Sequence, residues 1–385
     1  MKKYLLTTAA VSLVAGAATA GGIDRSGQRI GVIFAETGEM GSYAELSFGS
    51  VGIEANGSFT NTAGFGGASG TASPLNDYTQ LALGFKQQLT DEFSLSLIYE
   101  QPFGADVEYD SGPPFFGGLA DIESDSFTVL GRYEFGNGFS VHGGIRALAL
   151  EGEIFTLKGT TPAFLSAESD YEFGTVIGAA YERPDIALRI AVTYSSAIDV
   201  EFDSEESSLS AADPSAPPAF GPVDSSFDLE FPESVNIDFQ TGVAQDTLVF
   251  GTIRWVAWDG FNLTTDGAGI PTAPDSEYVN FDGDTTTITL GVGRRITEEL
   301  SIAVSYTYEA EGDNPSTTAL APTTGLQSIS VGGSYDFGNG LTVSGGVTYG
   351  VPGDQQVETA AVEGGEVDFD DNEVIGVGIR VGFAF

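Results

Sequence analysis

The chain has no cysteine, a single histidine, two tryptophans and two methionines among 385 residues. Without thiols there is no disulfide, no thiolate metal site and no cysteine nucleophile, so folding rests on backbone pairing and apolar burial. Positive charge is scarce as well: 14 Lys and Arg stand against 55 Asp and Glu, a formal charge of −41. That balance excludes nucleic acid and an anionic membrane surface as partners, and its plain reading is solvation of exposed loops. Beyond the first twenty residues no window approaches the ~20 consecutive apolar residues of a membrane helix. There is also no P-loop and no dinucleotide fingerprint in βαβ context. His142 has no serine-nucleophile motif beside it. No enzyme, catalytic residue or cofactor is expected.

The amino terminus carries Lys2 and Lys3, an apolar stretch from Tyr4 to about Ala17, and Ala18-Thr19-Ala20 before Gly21. This is the pattern of a secretory signal peptide over residues 1–20. Its removal takes the formal charge from −41 to −43. An exported chain without membrane helices that nevertheless sits in a membrane does so as a closed barrel, the other fold that satisfies every backbone group in lipid.

What the chain has in abundance is glycine, 52 residues, and two-residue alternation. In the last thirteen residues, Ile375, Val377, Ile379, Val381, Phe383 and Phe385 fall on one face, and Val374, Gly376, Gly378, Arg380, Gly382 and Ala384 on the other. Leu300, Ile302, Val304, Tyr306 and Tyr308 alternate with Ser301, Ala303, Ser305, Thr307 and Glu309, one face suited to lipid and one to water. About fourteen such segments can be marked, near 42–54, 77–89, 92–103, 125–136, 139–151, 170–182, 186–200, 226–241, 245–258, 284–296, 299–310, 325–337, 340–351 and 373–385. Short turns such as Gly136-Asn137-Gly138 and Gly338-Asn339-Gly340 alternate with long stretches including 55–76, 104–124, 201–225 and 259–283. Even strand number, short turns at one end, long loops at the other and a terminal aromatic strand predict an all-β transmembrane antiparallel barrel over 42–385, in a bacterial outer membrane. Residues 21–41 then form a short arm: Ile30-Gly31-Val32-Ile33-Phe34 either inserts into the lumen as a stopper or leads extended into the first strand.

In mid-chain, Phe231-Pro232-Glu233-Ser234-Val235-Asn236-Ile237-Asp238-Phe239 precedes a strand ending Trp255-Val256-Ala257-Trp258. This resembles the FadL/TodX-type outer-membrane transporters of long-chain fatty acids and aromatic hydrocarbons. The resemblance implies a fourteen-stranded monomeric barrel that takes up hydrophobic molecules passively and releases them laterally or inward. Lipopolysaccharide and outer-membrane lipid are the implied surroundings, and the barrel assembly machinery the implied folding partner. The arm departs from that family, being about half the usual plug length and lacking an Asn-Pro-Ala segment. A general diffusion porin for small polar solutes and a structural surface barrel remain the alternatives.

Two groups of residues are candidates for ligand contact. Apolar clusters that a solvated loop does not need occur at Pro113-Pro114-Phe115-Phe116, Pro162-Ala163-Phe164-Leu165, Pro217-Pro218-Ala219-Phe220 and Ile270-Pro271. They either form a binding groove or pack together to close the barrel mouth. The alternation also turns Lys86, Arg132, Arg146, Arg189, Arg295 and Arg380 inward, where Arg132 or Arg146 would hold a carboxylate head group or pair with lumen acids such as Glu134, Glu172, Glu182, Asp238 and Glu309. The acidic pieces Asp282-Gly283-Asp284 and 368–373 lack calcium-loop spacing, and no metal is expected there.

Overall fold

A computed structural model describes residues 23–59, 70–111, 115–158, 161–208, 220–265, 276–281, 283–312, 320–358 and 366–385. Fourteen antiparallel strands close into one ring. In chain order they are β1 (Ser42–Phe59), β2 (Tyr78–Gln88), β3 (Phe93–Glu100), β4 (Leu119–Glu134), β5 (Phe139–Lys158), β6 (Glu172–Arg183) and β7 (Leu188–Ser195). The second half runs β8 (Ser234–Ala244), β9 (Thr247–Val256), β10 (Thr285–Arg295), β11 (Leu300–Glu309), β12 (Thr324–Asp336), β13 (Leu341–Gly353) and β14 (Glu366–Ala384). Neighbours in sequence are neighbours in space, and β14 pairs back onto β1 from Tyr43–Ala384 to Ser58–Asp368.

Alternation builds the wall as expected. On β14, Ile375, Val377, Ile379, Val381 and Phe383 point outward, and on β11 so do Ile302, Val304, Tyr306 and Tyr308. Their inward neighbours are small or polar: Ser305, Thr307, Ser328, Ser330, Ser344 and Thr348 are all buried. Thr289–Thr307 and Ser330–Thr348 hydroxyl pairs, at 2.9 and 2.6 Å, tie adjacent strands across the inner face. The two Gly-Asn-Gly turns use one solution: Gly136, Gly138, Gly338 and Gly340 all lie at φ between 74° and 89°, which a side chain rarely tolerates. Asn137 and Asn339 each accept from the amide two residues on, at 3.2 Å.

The strands outrun the bilayer. β1 has 18 residues and β5 has 20, where crossing needs roughly 9–11. Much of what reads as loop in the sequence is strand: 161–169 pairs with β5 and with 198–208, which in turn pairs with 220–231. A separate two-stranded hairpin, Phe261–Thr265 with Ser276–Phe281, packs its Phe261, Leu263 and Val279 into the same buried cluster as Phe231 and Trp258.

At the turn end, the arm meets the closing strand. Gly38 donates to the Ser42 carbonyl at 3.1 Å, and Ser42 and Phe385 exchange backbone hydrogen bonds at 3.1 and 3.0 Å. A Cβ on Gly38 would lie 2.4 Å from the Phe385 nitrogen, and backbone cannot yield there. Gly38→Val is therefore expected to destabilise the seam by about 1–3 kcal/mol, whereas Gly31→Ala, with nothing within 4 Å, should be neutral. Urea-unfolding midpoints followed by gel mobility of the folded and unfolded forms would check both; equal midpoints would show that the seam does not need this contact.

Candidate functional site

The wall ladder between β2 and β3 is cut short. Their ladder runs from Gln88–Ser94 to Leu83–Tyr99 and stops. Beyond Glu100 the chain leaves the wall over Gln101-Pro102-Phe103-Gly104 and rejoins it at Ala105–Glu108, paired with Leu119–Ile122 of β4. Proline, with no N–H to give, sits where the ladder breaks. The Ser124 hydroxyl holds the departure open, accepting from the Phe103 amide at 2.8 Å and donating to its carbonyl at 2.6 Å. The Leu81 amide finds the Gln101 side-chain oxygen at 3.1 Å in place of a strand. Pairing with the preceding loop resumes only at an isolated Leu75–Val107 bridge.

The arm fills in behind this break. Asp24 bridges Phe103, Arg25 donates its amide to the Pro102 carbonyl at 2.6 Å, and Gly104 donates to the Ile23 carbonyl at 2.9 Å. The Arg25 guanidinium lies 4.1 Å over the Tyr78 ring, and Gln80 donates to the Arg25 carbonyl at 2.8 Å. From there the arm descends through the lumen. Gly31–Phe34 forms a single 3₁₀ turn, and its Val32 and Ile33, with Ile30 just before it, pack on Ile98, Leu130 and Val176.

The lumen cations attach to this arm. Arg254 binds the Asp24 carboxylate through two nitrogens, Nε at 2.7 Å, and donates to Asn236 at 2.9 Å; Asn236 in turn donates to the Gly27 carbonyl at 3.0 Å. Arg146 donates to Gln28 and to Thr128 at 3.2 Å, with Glu100 4.0 Å away. Lys86 donates to the Ala35 carbonyl at 2.8 Å. Arg132 pairs with Glu182 and with Glu134 at 3.2 Å and reaches the Ile33 carbonyl at 3.3 Å. Phe34 has the Arg132 and Arg189 guanidinium carbons at 4.7 and 4.6 Å from its ring centre, a double cation–π contact.

Above the arm, under the outer strands, lies an apolar cavity of about 60 Å³. Ile23 and Ala105 border it on the side of the wall break, and Phe202, Leu229, Phe231 and Phe281 are among its other walls. Phe103 of the kink packs on Phe231 and Trp258 at 5.1 and 6.0 Å between ring centres, and Trp258 meets Phe261 and Phe281 edge-on at 5.1 and 5.4 Å. Proline at 232 breaks the strand between 220–231 and β8, and Glu233 anchors the break, accepting from Tyr194 at 2.5 Å and, through its carbonyl, from the Ala257 amide at 3.1 Å. The Phe-Pro and Trp-x-x-Trp segments thus flank this cavity.

Of the residues singled out from the sequence, Leu165 lines the cavity. Phe115 belongs to the same buried cluster and packs on Tyr109 at 4.3 Å, while Phe116 is half-buried at φ 49° and Phe164 half-buried opposite Phe155. Phe220 opens a strand, but its side chain lies outside the described residues, as do Pro113, Pro114, Pro217, Pro218, Ala219, Ile270 and Pro271. Arg132 and Arg146 face the arm and are not in the cavity lining. Phe202, Phe227, Leu229 and Arg254 are the residues that sequence reasoning missed, and Phe231 was marked only as the start of the Phe-Pro segment; a period-two apolar series, 198-200-202 and 227-229-231, was the available signal for the apolar ones. Asp284 accepts from Trp255 at 3.1 Å and from the Asp259 amide at 3.2 Å. No carboxylate or histidine cluster among the described residues is arranged to hold a metal.

Arg254→Met leaves the buried Asp24 carboxylate without its guanidinium, which is expected to cost about 3–5 kcal/mol locally. Amide exchange at Asp24 to Gln28 should speed up, and adding Asp24→Asn should recover most of the protection. Unchanged exchange in the single variant would show that the ion pair does not fasten the arm.

The sequence matches the family described as outer membrane protein transport protein (OMPP1/FadL/TodX) over residues 44–385. No curated protein matches it. Among solved structures, a Pseudomonas aeruginosa FadL homologue is 13% identical, with 92% of each chain covered and a TM-score of 0.73. The P. putida toluene transporter TodX is 14% identical, with 90% of each chain covered and a TM-score of 0.66. The Ralstonia pickettii toluene transporter TbuX is 12% identical over 97% of each chain, with a TM-score of 0.61. Those likenesses establish the shared barrel, and the match over nearly the whole chain establishes the lineage: this chain belongs to the OMPP1/FadL/TodX family of outer-membrane transport proteins.

Proposed function

We propose that the protein passively admits hydrophobic solutes through the outer membrane, with the apolar cavity as the capture site and the break between β2 and β3 as the exit. The observation that carries this reading is adjacency: Ile23 and Ala105, which border the cavity, flank the segment where the wall is open. A solute leaving the cavity there enters lipid without crossing an aqueous lumen. Leu165, with Phe115 and its neighbours in the outer cluster, supplies the apolar surface that first receives it. Residues 21–41 act as a reduced plug, since the cations that would line a wet pore are engaged with the arm. The same engagement argues against a general porin. The ring closes on itself through β14 and β1, which favours a single chain working alone.

Phe231→Ser and Leu165→Ser together replace two buried side chains in the cavity wall, forfeiting ~3 kcal/mol or more of apolar contact. Cellular uptake of a labelled apolar solute is expected to fall roughly tenfold or more for such a loss, with the folded gel mobility retained. Liposomes carrying the wild-type protein should not swell in arabinose. Sugar entry at a porin-like rate, or full uptake by the folded double variant, would overturn the reading.

A further inference from the structure

The cavity is selective by what it lacks. Among the described residues that line it not one is basic and none offers a hydroxyl or amide side chain; Glu151, beside Gly152, is the single polar side chain among them. The cations on the arm side of the cavity already have partners: Arg25 lies over the Tyr78 ring, Arg254 binds Asp24 and Asn236, and Arg146 binds Gln28 and Thr128. Among the described side chains the outer strands provide no substitute. Between Arg146 and Arg254 the sequence has only Lys158, Arg183 and Arg189. Arg183 sits at a turn beside Asp185 and Arg189 lies over Phe34; Lys158 ends β5, beyond the lining residue Ile154, and its side chain lies outside the described residues.

The back of the cavity is negative. Glu151, Gly152 and Ala167 border both the apolar cavity and a groove on the opposite face of the outer sheet. Gly152 and Ala167 are cross-strand partners, so at that point little more than backbone separates the two. The groove is lined by carboxylates on successive strands: Glu123 stands opposite Glu151, Glu151 opposite Glu168, and Glu168 opposite Asp203. An ionised head group buried in the cavity would lose its hydration, find no cation in the described lining and meet a like-charged field through a thin wall.

From this we infer that the capture site takes uncharged apolar molecules and rejects the ionised carboxylates of the same chain length. The inference rests on the cavity being the capture site. Under it, Arg132 and Arg146 are fasteners of the arm and have no part in head-group recognition.

A matched pair separates charge from size: methyl decanoate and decanoate at pH 7.5, titrated into the detergent-solubilised full-length barrel. Trp258 reports on the cavity, being fully buried and edge-on to the lining residues Phe261 and Phe281. The ester is expected to bind at least about tenfold more tightly than the acid, a factor equivalent to 1.4 kcal/mol. Ile154→Lys, which sets a cation in the lining, should reverse that preference. Wild-type affinities that differ by less than tenfold, or favour decanoate, overturn the selection by charge and leave the capture site standing. Saturable binding of neither probe by the folded barrel overturns the capture site itself, and this inference with it.

Discussion

Everything in this molecule follows from the requirement that a backbone N–H or C=O facing lipid has a partner within the chain. An unsatisfied group in hydrocarbon costs several kcal/mol, so the ring of strands has to close, and β14 pairs with β1 along most of its length to close it. The interruption between β2 and β3 is notable against that requirement. It persists because local groups replace the missing ladder: Ser124 serves the Phe103 backbone, Gln101 serves Leu81, and the arm serves Pro102 and Gly104. An opening of this kind is a substitution of partners, not a loss of them.

The same arithmetic explains the lumen cations. A buried guanidinium needs an acceptor as urgently as the backbone does, and the arm supplies carbonyls, an amide and the Asp24 carboxylate. Arm and wall therefore stabilise each other through charge in a chain whose outer strands are almost free of positive charge. The separation of sign is spatial, with cations concentrated around the arm and carboxylates on the outer sheet.

The barrel was legible in the sequence because its cause is periodic. Each of the fourteen alternating segments corresponds to a wall strand, with boundaries usually within a few residues. The segment near 92–103 ended early, at Glu100, because the chain turns inward at Pro102; the segment near 226–241 is split at Pro232. Both prolines were visible, but proline alone does not say whether a strand ends, bulges or leaves the sheet. The outer strands were hidden by their acidity, since Asp203, Glu205 and Asp224 read as solvated loop although Phe202 and Phe227, which flank them, are stacked across strands at 4.9 Å. The cavity was illegible for a different reason. Ile23, Ala105, Leu165 and Phe231 are far apart in the chain, and only three-dimensional closure brings them together.

The seam at Gly38 gives the arm a fixed point. Its far end is bound at Asp24 and Arg25 against the kink, and its near end is tied to Ser42 and thereby to the last residue of the ring. An arm released from the kink is thus a leashed ligand whose binding site stays within reach. Between those ends Gln28, Ile33, Phe34 and Ala35 are held to the wall as well, so a local release would leave the freed residues within a short reach of their site. Rebinding of a segment held in this way is intramolecular, so it does not depend on how much protein is present.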